Sequence, residues 1–594
     1  MAFVGRIYRL VVAHKWAIFS LVLLTLALYF PVIHFDFTNW DDPTYVLLNP
    51  AIRQLDWQHL QEMFRIYVSS NYHPLTLVSL SLDYASGNGS ASVFHISNLL
   101  LHLCNVLGIY FLCYYLSKSA WGAFFAAIVM AIHPLHIESV AWISARKDVL
   151  YVFFYLPAIF FYVKYLQNNY AFRYLTISWL FFVAAILCKP AAVVFPLLTY
   201  ILAWYYHKLS RKQLLQSIVF WLPALAIAFV TWQAQSVKAI GTLQEIGLVE
   251  RVFFASYAWC WYLLKFFFPW HLSALYPFPD PSESLPFVYK IAPLGVLASL
   301  VVAYFLLRHK RKMLLFVAIY ALHLLLILQF ISIGNAITAD RYTYFAYPFL
   351  AMVFWLLGKY YLDTPQKSAL PRTAWIGGVF LLWFFVAAKM YLPAWKNSET
   401  LWNNVVTLFP DNFLAHYNRA LHYSEAGNGA KALEDYNICE KINAQYGDLY
   451  VNRAKNYYFL LQNPSAAAAD YVKAMQLMPQ NAEAFYQYAN LLQFAEKNYP
   501  KAIEIYSEAL RIEPNYFDAW MNGGVAFING TKDYATALQW FEKARAIQPA
   551  NGALYYNLFT CYYALNNKSK AKESLDLSKK FSYHFPDSLY NLLR

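Results

Sequence analysis

The chain has 594 residues, 60% of them hydrophobic and 20% aromatic, and a formal charge of +13. That composition excludes an ordinary soluble enzyme, and six scattered cysteines without a Cys-x-x-Cys exclude a disulfide framework or a zinc or redox site. The basic residues lie in short loops between apolar runs rather than on one face, which marks membrane topology and speaks against nucleic-acid binding.

The first apolar run, about 15–33, follows Arg6, Arg9 and Lys15 and lacks a small-residue cleavage site, so it predicts a retained helix. Further runs at about 93–116, 119–134, 148–166, 173–188, 190–206, 214–232, 251–270, 289–307, 313–330, 342–361 and 374–392 approach the roughly 20 residues of a crossing helix. Lys189-Pro190 divides the long run 173–206. Basic loops at Lys118, Lys164 to Arg173, His207 to Lys212, Arg308 to Lys312 and Lys367 to Arg372 mark the cytoplasmic side, with the N-terminus. Three runs lie between the basic loops at 207–212 and 308–312, and three crossings cannot return to one side. The segment 251–270, with Arg251, Lys265 and the aromatic core Tyr-Ala-Trp-Cys-Trp-Tyr, is therefore read as non-crossing. This leaves about 11 spans in a membrane domain 1–392, with a large outside loop at 34–92. Residues 393–594 then form an extracytoplasmic domain.

In that second domain Ala432/Tyr436/Cys439 recurs as Ala467/Tyr471/Ala474, Ala502/Tyr506/Ala509 and Ala537/Phe541/Ala544, each step 35 residues. Pro479, Pro514 and Pro549 close successive units. Small residues let two helices approach, an aromatic fills the gap and proline ends the pair: the tetratricopeptide (TPR) pattern. A half-unit at 395–410 opens the array and residues from about 550 cap it. The fold class is all-α: a polytopic membrane domain followed by a TPR solenoid.

Candidate chemistry lies on the outside. Asp36, Asp41 and Asp42 begin the first loop. They either mark a solvated helix end or provide a general base beside apolar surface, where a carboxylate gains proton affinity. Arg146, Lys147, Lys189 and Arg341 fall on the outside against the positive-inside bias, which makes them candidates for an anionic headgroup and a departing phosphate. His133, His136 and Glu138 share that side. His-x-x-His-x-Glu fits no single helix face for metal, and reads better as an active-site wall. Tyr276 and Asp340, in outside segments, are either interface anchors or part of the same wall.

Several blocks together resemble the transmembrane-and-TPR-containing O-mannosyltransferase family of the GT-C glycosyltransferase superfamily. They are Asn39-Trp40-Asp41-Asp42, Tyr72-His73-Pro74-Leu75-Thr76, Phe94 to His102, His133 to Ile143, Cys188-Lys189 and Ala339-Asp340-Arg341-Tyr342, followed by the TPR array. The resemblance implies a hexose donor, mannose or another, carried on a polyprenyl phosphate, and chemistry on the extracytoplasmic face. It implies an acidic motif at Asp41-Asp42 that takes a proton from a Ser or Thr hydroxyl of a protein, with inversion. It further implies membrane lipid around the spans and an acceptor protein or peptide on the solenoid. Pro190-Ala191-Ala192 follows Lys189 where the family has an acidic residue, and the solenoid is short. No cofactor and no metal is expected, since two adjacent aspartates do not make a coordination sphere. A bacterial inner membrane with a periplasmic solenoid is the expected location, although the sequons at Asn88, Asn529 and Asn567 also fit a reticulum lumen. The rival readings are a membrane-anchored TPR scaffold without catalysis and a flippase. A scaffold has no use for so many spans, and a flippase would carry charges midway along them.

Overall fold

Apolar runs in a bilayer must satisfy their backbone internally, which dictates helices. The computed structural model describes residues 14–236, 247–280, 284–328, 336–363 and 372–593, so the basic residues Arg6, Arg9 and Lys367 lie outside the described residues. Each of the twelve apolar segments contains a helix. Among the described residues six helical segments are long and apolar enough to cross a membrane: Lys15–His34, Ala91–Ser117, Ile143–Gln167, Arg211–Gln235, Phe287–Leu307 and Arg372–Trp395. A seventh is the pair Ala120–Ile132 and Pro134–Ala141, bent by 55° where Pro134 interrupts it. Phe172–Cys188 and Pro190–Tyr205 are shorter apolar helices. The chain is a multi-pass membrane protein.

The loops separate into two groups by contact. Lys312 Nζ donates to Ser117 O at 2.7 Å, Tyr205 Oη to Leu116 O at 3.2 Å, Tyr170 Oη to Lys208 O at 3.1 Å, and Arg311 reaches Trp204 O. These are the loops rich in Lys and Arg. At the other end the 34–92 loop meets Cys188, where Thr76 Oγ1 donates to Cys188 O at 2.9 Å, and the 133–147 turn, where Ser144 N donates to Asp42 Oδ1 at 3.0 Å; Lys189 pairs with Asp148. The helix Leu248–Phe267 lies beside Phe287–Leu307 with residue numbers rising together: Tyr257 packs on Tyr289 at 4.2 Å, and Cys260 Sγ donates to Ala292 O at 3.5 Å.

A two-stranded antiparallel ribbon interrupts the helices, with Tyr276 opposite Thr338 and Pro277 opposite Ala336. It brings residues 276 and 340 together.

Contacts divide the chain into Met1–Pro410 and Asp411–Arg594. The division falls beyond 392/393 because the helix Ser398–Leu408, expected to open the solenoid, packs within the first unit. Asn39 N donates to Ser398 Oγ at 2.9 Å, Trp402 Nε1 donates to Asn39 Oδ1 at 2.6 Å, and Trp40 lies 5.4 Å from Trp402.

The second unit is five helix pairs, from Phe413–Glu425 with Gly429–Ile442 to Gly552–Ala564 with Lys568–Lys580. The repeating trios are its core: Ala432, Tyr436, Cys439 and their counterparts at 467–474, 502–509 and 537–544 are all buried. Asn428, Asn463, Asn498 and Asp533 each cap a second helix through a side-chain oxygen, which satisfies a free backbone N–H. Helices approach closest where a side chain is missing. A Cβ on Gly523 would run into the Trp540 ring, and one on Gly524 would lie 2.6 Å from Phe541. Gly523→Ala is expected to destabilise the second unit by about 1–3 kcal/mol through overpacking. Denaturant unfolding followed by Trp fluorescence checks this.

Candidate active site

The stretch 35–48 leaves the first helix and turns sharply. Asp41 O accepts from Tyr45 N at 3.0 Å, and Pro43 starts the short turn Pro43–Leu47. Within this turn the two aspartates diverge. Asp42 is 1% exposed, and its carboxylate accepts four hydrogen bonds. Thr38 N (2.8 Å) and Thr38 Oγ1 (3.0 Å) reach Oδ2; Ser144 N (3.0 Å) and Ser144 Oγ reach Oδ1. Burial raises its pKa while these bonds oppose the rise. Every lone pair is taken, so Asp42 is a latch between the first loop and the 133–147 turn, not a base. Asp41 keeps 26% of its side-chain surface and lies 3.9 Å from Lys147 Nζ.

The cations diverge in the same way. Arg146 is 1% exposed and belongs to the fold: its guanidinium donates to Asp83 Oδ2 at 2.5 Å, Ser79 Oγ at 2.7 Å, Phe94 O at 2.9 Å and Asn98 Oδ1. The expectation that Arg146 meets a donor phosphate is therefore corrected: no face of it is left. Lys147, one residue on, points to a different side, 4.8 Å from the Tyr45 ring and 5.4 Å from the Trp142 ring. Lys189 pairs with Asp148 and approaches the rings of Tyr151 and Tyr342 at 5.8 and 5.7 Å. Arg341 pairs with Glu138, which also accepts from Arg341 N at 2.8 Å, and lies 5.6 Å from the Trp142 ring. Burial, the largest single influence, opposes the charge on Arg341, but Glu138, Tyr342 and Asp148 together outweigh it and raise the guanidinium pKa.

Lys147, Lys189 and Arg341 thus meet around Asp41, Asp148 and Glu138, with Tyr45, Trp142 and Tyr342 as walls. Residues distant in sequence form one part-buried cluster at the end away from the basic loops. Asp148, Trp142 and Tyr45 were not singled out from sequence; the charged run Arg146-Lys147-Asp148 was the available signal for the first. His73, from the block Tyr72-His73-Pro74-Leu75-Thr76, lies beside Tyr45. It is 4% exposed, stacks 6.4 Å from Tyr45, and both ring nitrogens are buried without a hydrogen-bond partner. Burial, then Lys147 and Lys189, push its pKa well below 6.5, so the imidazole is neutral.

Of the expected wall, Glu138, Tyr276 and Asp340 face this region. Tyr276 Oη donates to Asp340 Oδ1 at 2.8 Å, and Ser273 N donates to Tyr276 Oη at 2.9 Å. The others do not belong to it. Asp36 has an exposed side chain, and its N–H donates to Lys396 O at 2.9 Å. His133 donates to Phe266 O at 3.2 Å and packs on Tyr347 and Phe384, and His136 donates to Met130 O at 2.9 Å. Both histidines hold the broken helix in the bundle interior. Among the described residues no group of three His, Cys, Asp or Glu is arranged to hold a metal ion.

Asp340 is fully buried, and its Oδ2 makes no hydrogen bond. Burial first, then Glu138, raise its pKa well above 3.8. The folded state therefore keeps a proton that the unfolded state releases, and this group subtracts stability as pH rises through the unfolded carboxyl range toward the raised value. Asp340→Asn is expected to keep the fold, with a flatter decline of stability as pH rises above the unfolded carboxyl range. Asp340→Ala leaves the Tyr276 O–H without its acceptor and is expected to lose about 1–3 kcal/mol. Thermal unfolding at a series of pH values distinguishes them.

Family models described as tetratricopeptide repeat match residues 489–552 and 530–581. Protein O-mannosyl-transferase TMTC2 of Mus musculus is 27% identical over 213 residues, covering 33% of this chain and 25% of that protein. Protein O-mannosyl-transferase Tmtc1 of Drosophila melanogaster is 29% identical over 123 residues, 21% of this chain and 14% of that protein. The matched stretches thus span a quarter or less of these relatives. A solved TPR protein, YrrB, described as having an unusual peptide-binding site, aligns with 32% of this chain and 95% of its own at 20% identity, with a TM-score of 0.28.

Proposed function

We propose, from the premise that this chain is a relative of the transmembrane-and-TPR-containing protein O-mannosyltransferases, that it is a membrane glycosyltransferase acting on proteins. It moves a hexose, mannose first among them, from a polyprenyl phosphate to a Ser or Thr hydroxyl. The site and solenoid face the extracytoplasmic side, and a bacterial inner membrane remains the location we assign.

The observation that carries this reading is the rim of the charged cluster. Asp41 keeps an open carboxylate 3.9 Å from Lys147, while its neighbour Asp42 is consumed in holding the loop. In the reaction Asp41 takes the hydroxyl proton of the acceptor. The hydroxyl oxygen forms the new bond to the anomeric carbon from the face opposite the phosphate, and the bond from that carbon to the phosphate oxygen breaks with its electron pair. The configuration inverts, and one base suffices. Lys147, tied only to Asp41 and two rings, is placed to take the leaving phosphate. Lys189 and Arg341 retain N–H donors beyond their pairs with Asp148 and Glu138. Preorganised donors of this kind are worth about 10²–10³-fold in rate each.

The test is to offer the purified full chain, in detergent or nanodiscs, a set of polyprenyl-phosphate sugars and a Ser/Thr peptide. Lys147→Met is expected to cut turnover about 10²-fold without changing the unfolding temperature. Turnover unchanged in Lys147→Met would remove the cluster from the reaction.

A further inference from the structure

Helices Ala120–Ile132, Leu248–Phe267, Tyr347–Tyr361 and Arg372–Tyr391 enclose a cavity of about 290 Å³ in the first unit. Its inner wall, from Thr373 and Gly377 to Phe384, is buried, while Tyr361 and Ile376 on its rim are exposed, so it opens sideways from the bundle. Tyr361 and Thr373 mark its mouth. Tyr361 Oη accepts from Lys310 Nζ at 2.8 Å, and that ammonium lies 4.4 Å from the Tyr360 ring. Lys310 belongs to a basic loop, so the mouth is at the end that the positive-inside bias reads as cytoplasmic. Lys359 and Arg372, both exposed, adjoin it in sequence. Asp363 is also there, but its Oδ1 accepts from Thr373 N at 3.1 Å and Thr373 Oγ1 at 3.0 Å, across the start of the last helix. The far end is shut. Phe266 and Phe384 meet at 6.0 Å, and they pack on His133 at 5.7 and 4.6 Å. This layer of rings separates the cavity from the charged cluster, so a lipid whose phosphate sits at the cluster is not its occupant.

We infer that this cavity holds one acyl chain of an anionic glycerophospholipid from the cytoplasmic leaflet, with the lipid phosphate at Lys310 and Arg372. Three observations select that occupant. Below the mouth the walls are hydrocarbon and aromatic, which gives water no partners and suits a chain. From Thr373 to Phe384 the helix rises about 16 Å, close to one leaflet's share of a hydrocarbon core about 30 Å thick. Trp355 lines the cavity between its ends, is 8% exposed, and its indole nitrogen is buried without a partner. An indole N–H only donates, so the occupant brings an acceptor at the head of its chain. The ester carbonyl of a glycerophospholipid is one, and a prenyl chain has none. The cations at the mouth then set the headgroup: Asp363 is spent on a helix end, whereas Lys310, Lys359 and Arg372 favour a lipid of net negative charge.

The inference does not depend on the proposed transfer, and binding is measured with no sugar present. Native mass spectrometry of the delipidated full chain in detergent compares phosphatidylglycerol, phosphatidylethanolamine with the same acyl chains, and polyprenyl phosphate. One phosphatidylglycerol per chain is expected to bind at least tenfold tighter than phosphatidylethanolamine, to raise the unfolding temperature, and to stay bound when polyprenyl phosphate is added. Leu357→Trp with Ile376→Trp fills the cavity and is expected to weaken phosphatidylglycerol at least tenfold, with the lipid-free unfolding temperature at the parent level. Lys310→Ser with Arg372→Ser is expected to erase most of the preference between the two phospholipids. On the unmodified protein, no bound phosphatidylglycerol, equal affinity for both phospholipids, or mole-for-mole displacement by polyprenyl phosphate would overturn the site, and none of these needs a variant to fold. Parent-like binding in the filled variant, or an unchanged preference in Lys310→Ser with Arg372→Ser, would overturn it as well.

Discussion

Asp41→Asn is expected to lower glycosyl transfer by about 10²–10⁴-fold, the range for losing a positioned general base, with unfolding behaviour unchanged. The adjacent Asp42→Asn is expected to act on folding instead. Asp42 accepts four hydrogen bonds from Thr38 and Ser144 in a buried site. An amide in its place turns one acceptor into a donor facing donors, at a cost of about 1–3 kcal/mol per unsatisfied group. Turnover per correctly folded Asp42→Asn molecule should then exceed that of Asp41→Asn. The reverse order, with Asp41→Asn active and Asp42→Asn stable and dead, would exchange the two roles. Steady-state transfer and thermal unfolding on the same preparations give both readings.

The second large effect lies on a residue whose charge is structural. Arg146 ties Pro74–Gly87 to Ala91–Ser117 through Asp83, Ser79, Asn98 and Phe94 O. Arg146→Met leaves the Asp83 carboxylate part-buried without its cation, and breaking a buried pair in this way costs about 3–5 kcal/mol. Arg146→Lys is expected to recover little, because an ammonium cannot fill a planar fork of four contacts. Expression and thermal stability should fall together, whereas Lys147→Met should retain both. A stable Arg146→Met protein defective only in donor binding would return Arg146 to the phosphate site.

What could be read from sequence follows from what each physical signal encodes. Period and composition specify helices, and the trios at 432, 467, 502 and 537 are core residues in the structure because small and aromatic residues at that step have no other use. Loop charge grouped the turns by end, since the parity argument needs only order along the chain. Single residues within the site were less legible. Asp41 and Asp42 are neighbours of one type, and only the positions of Thr38 and Ser144, the latter a hundred residues away, separate a latch from an open carboxylate. Arg146 and Lys147 are likewise adjacent, but a helix sends successive side chains about 100° apart, toward Asp83 and toward Asp41 respectively. Asp148 was hidden because its role depends on Lys189, which the intervening helices bring beside it. The half-unit at 395–410 was expected to open the repeats, and it contains the helix Ser398–Leu408. Its apolar face instead covers Trp40 and Trp395, a choice of partner that periodicity does not carry.

The decisive measurement is mass spectrometry of a Ser/Thr peptide incubated with the purified full chain and polyprenyl-phosphate mannose, with the lipid products resolved in the same run. A hexose on a Ser or Thr hydroxyl, matched mole for mole by free polyprenyl phosphate and lost with Asp41→Asn, is the expected result. No consumption of any polyprenyl-phosphate sugar by folded protein, or equal transfer by parent and Asp41→Asn, would contradict a transfer reaction at this cluster.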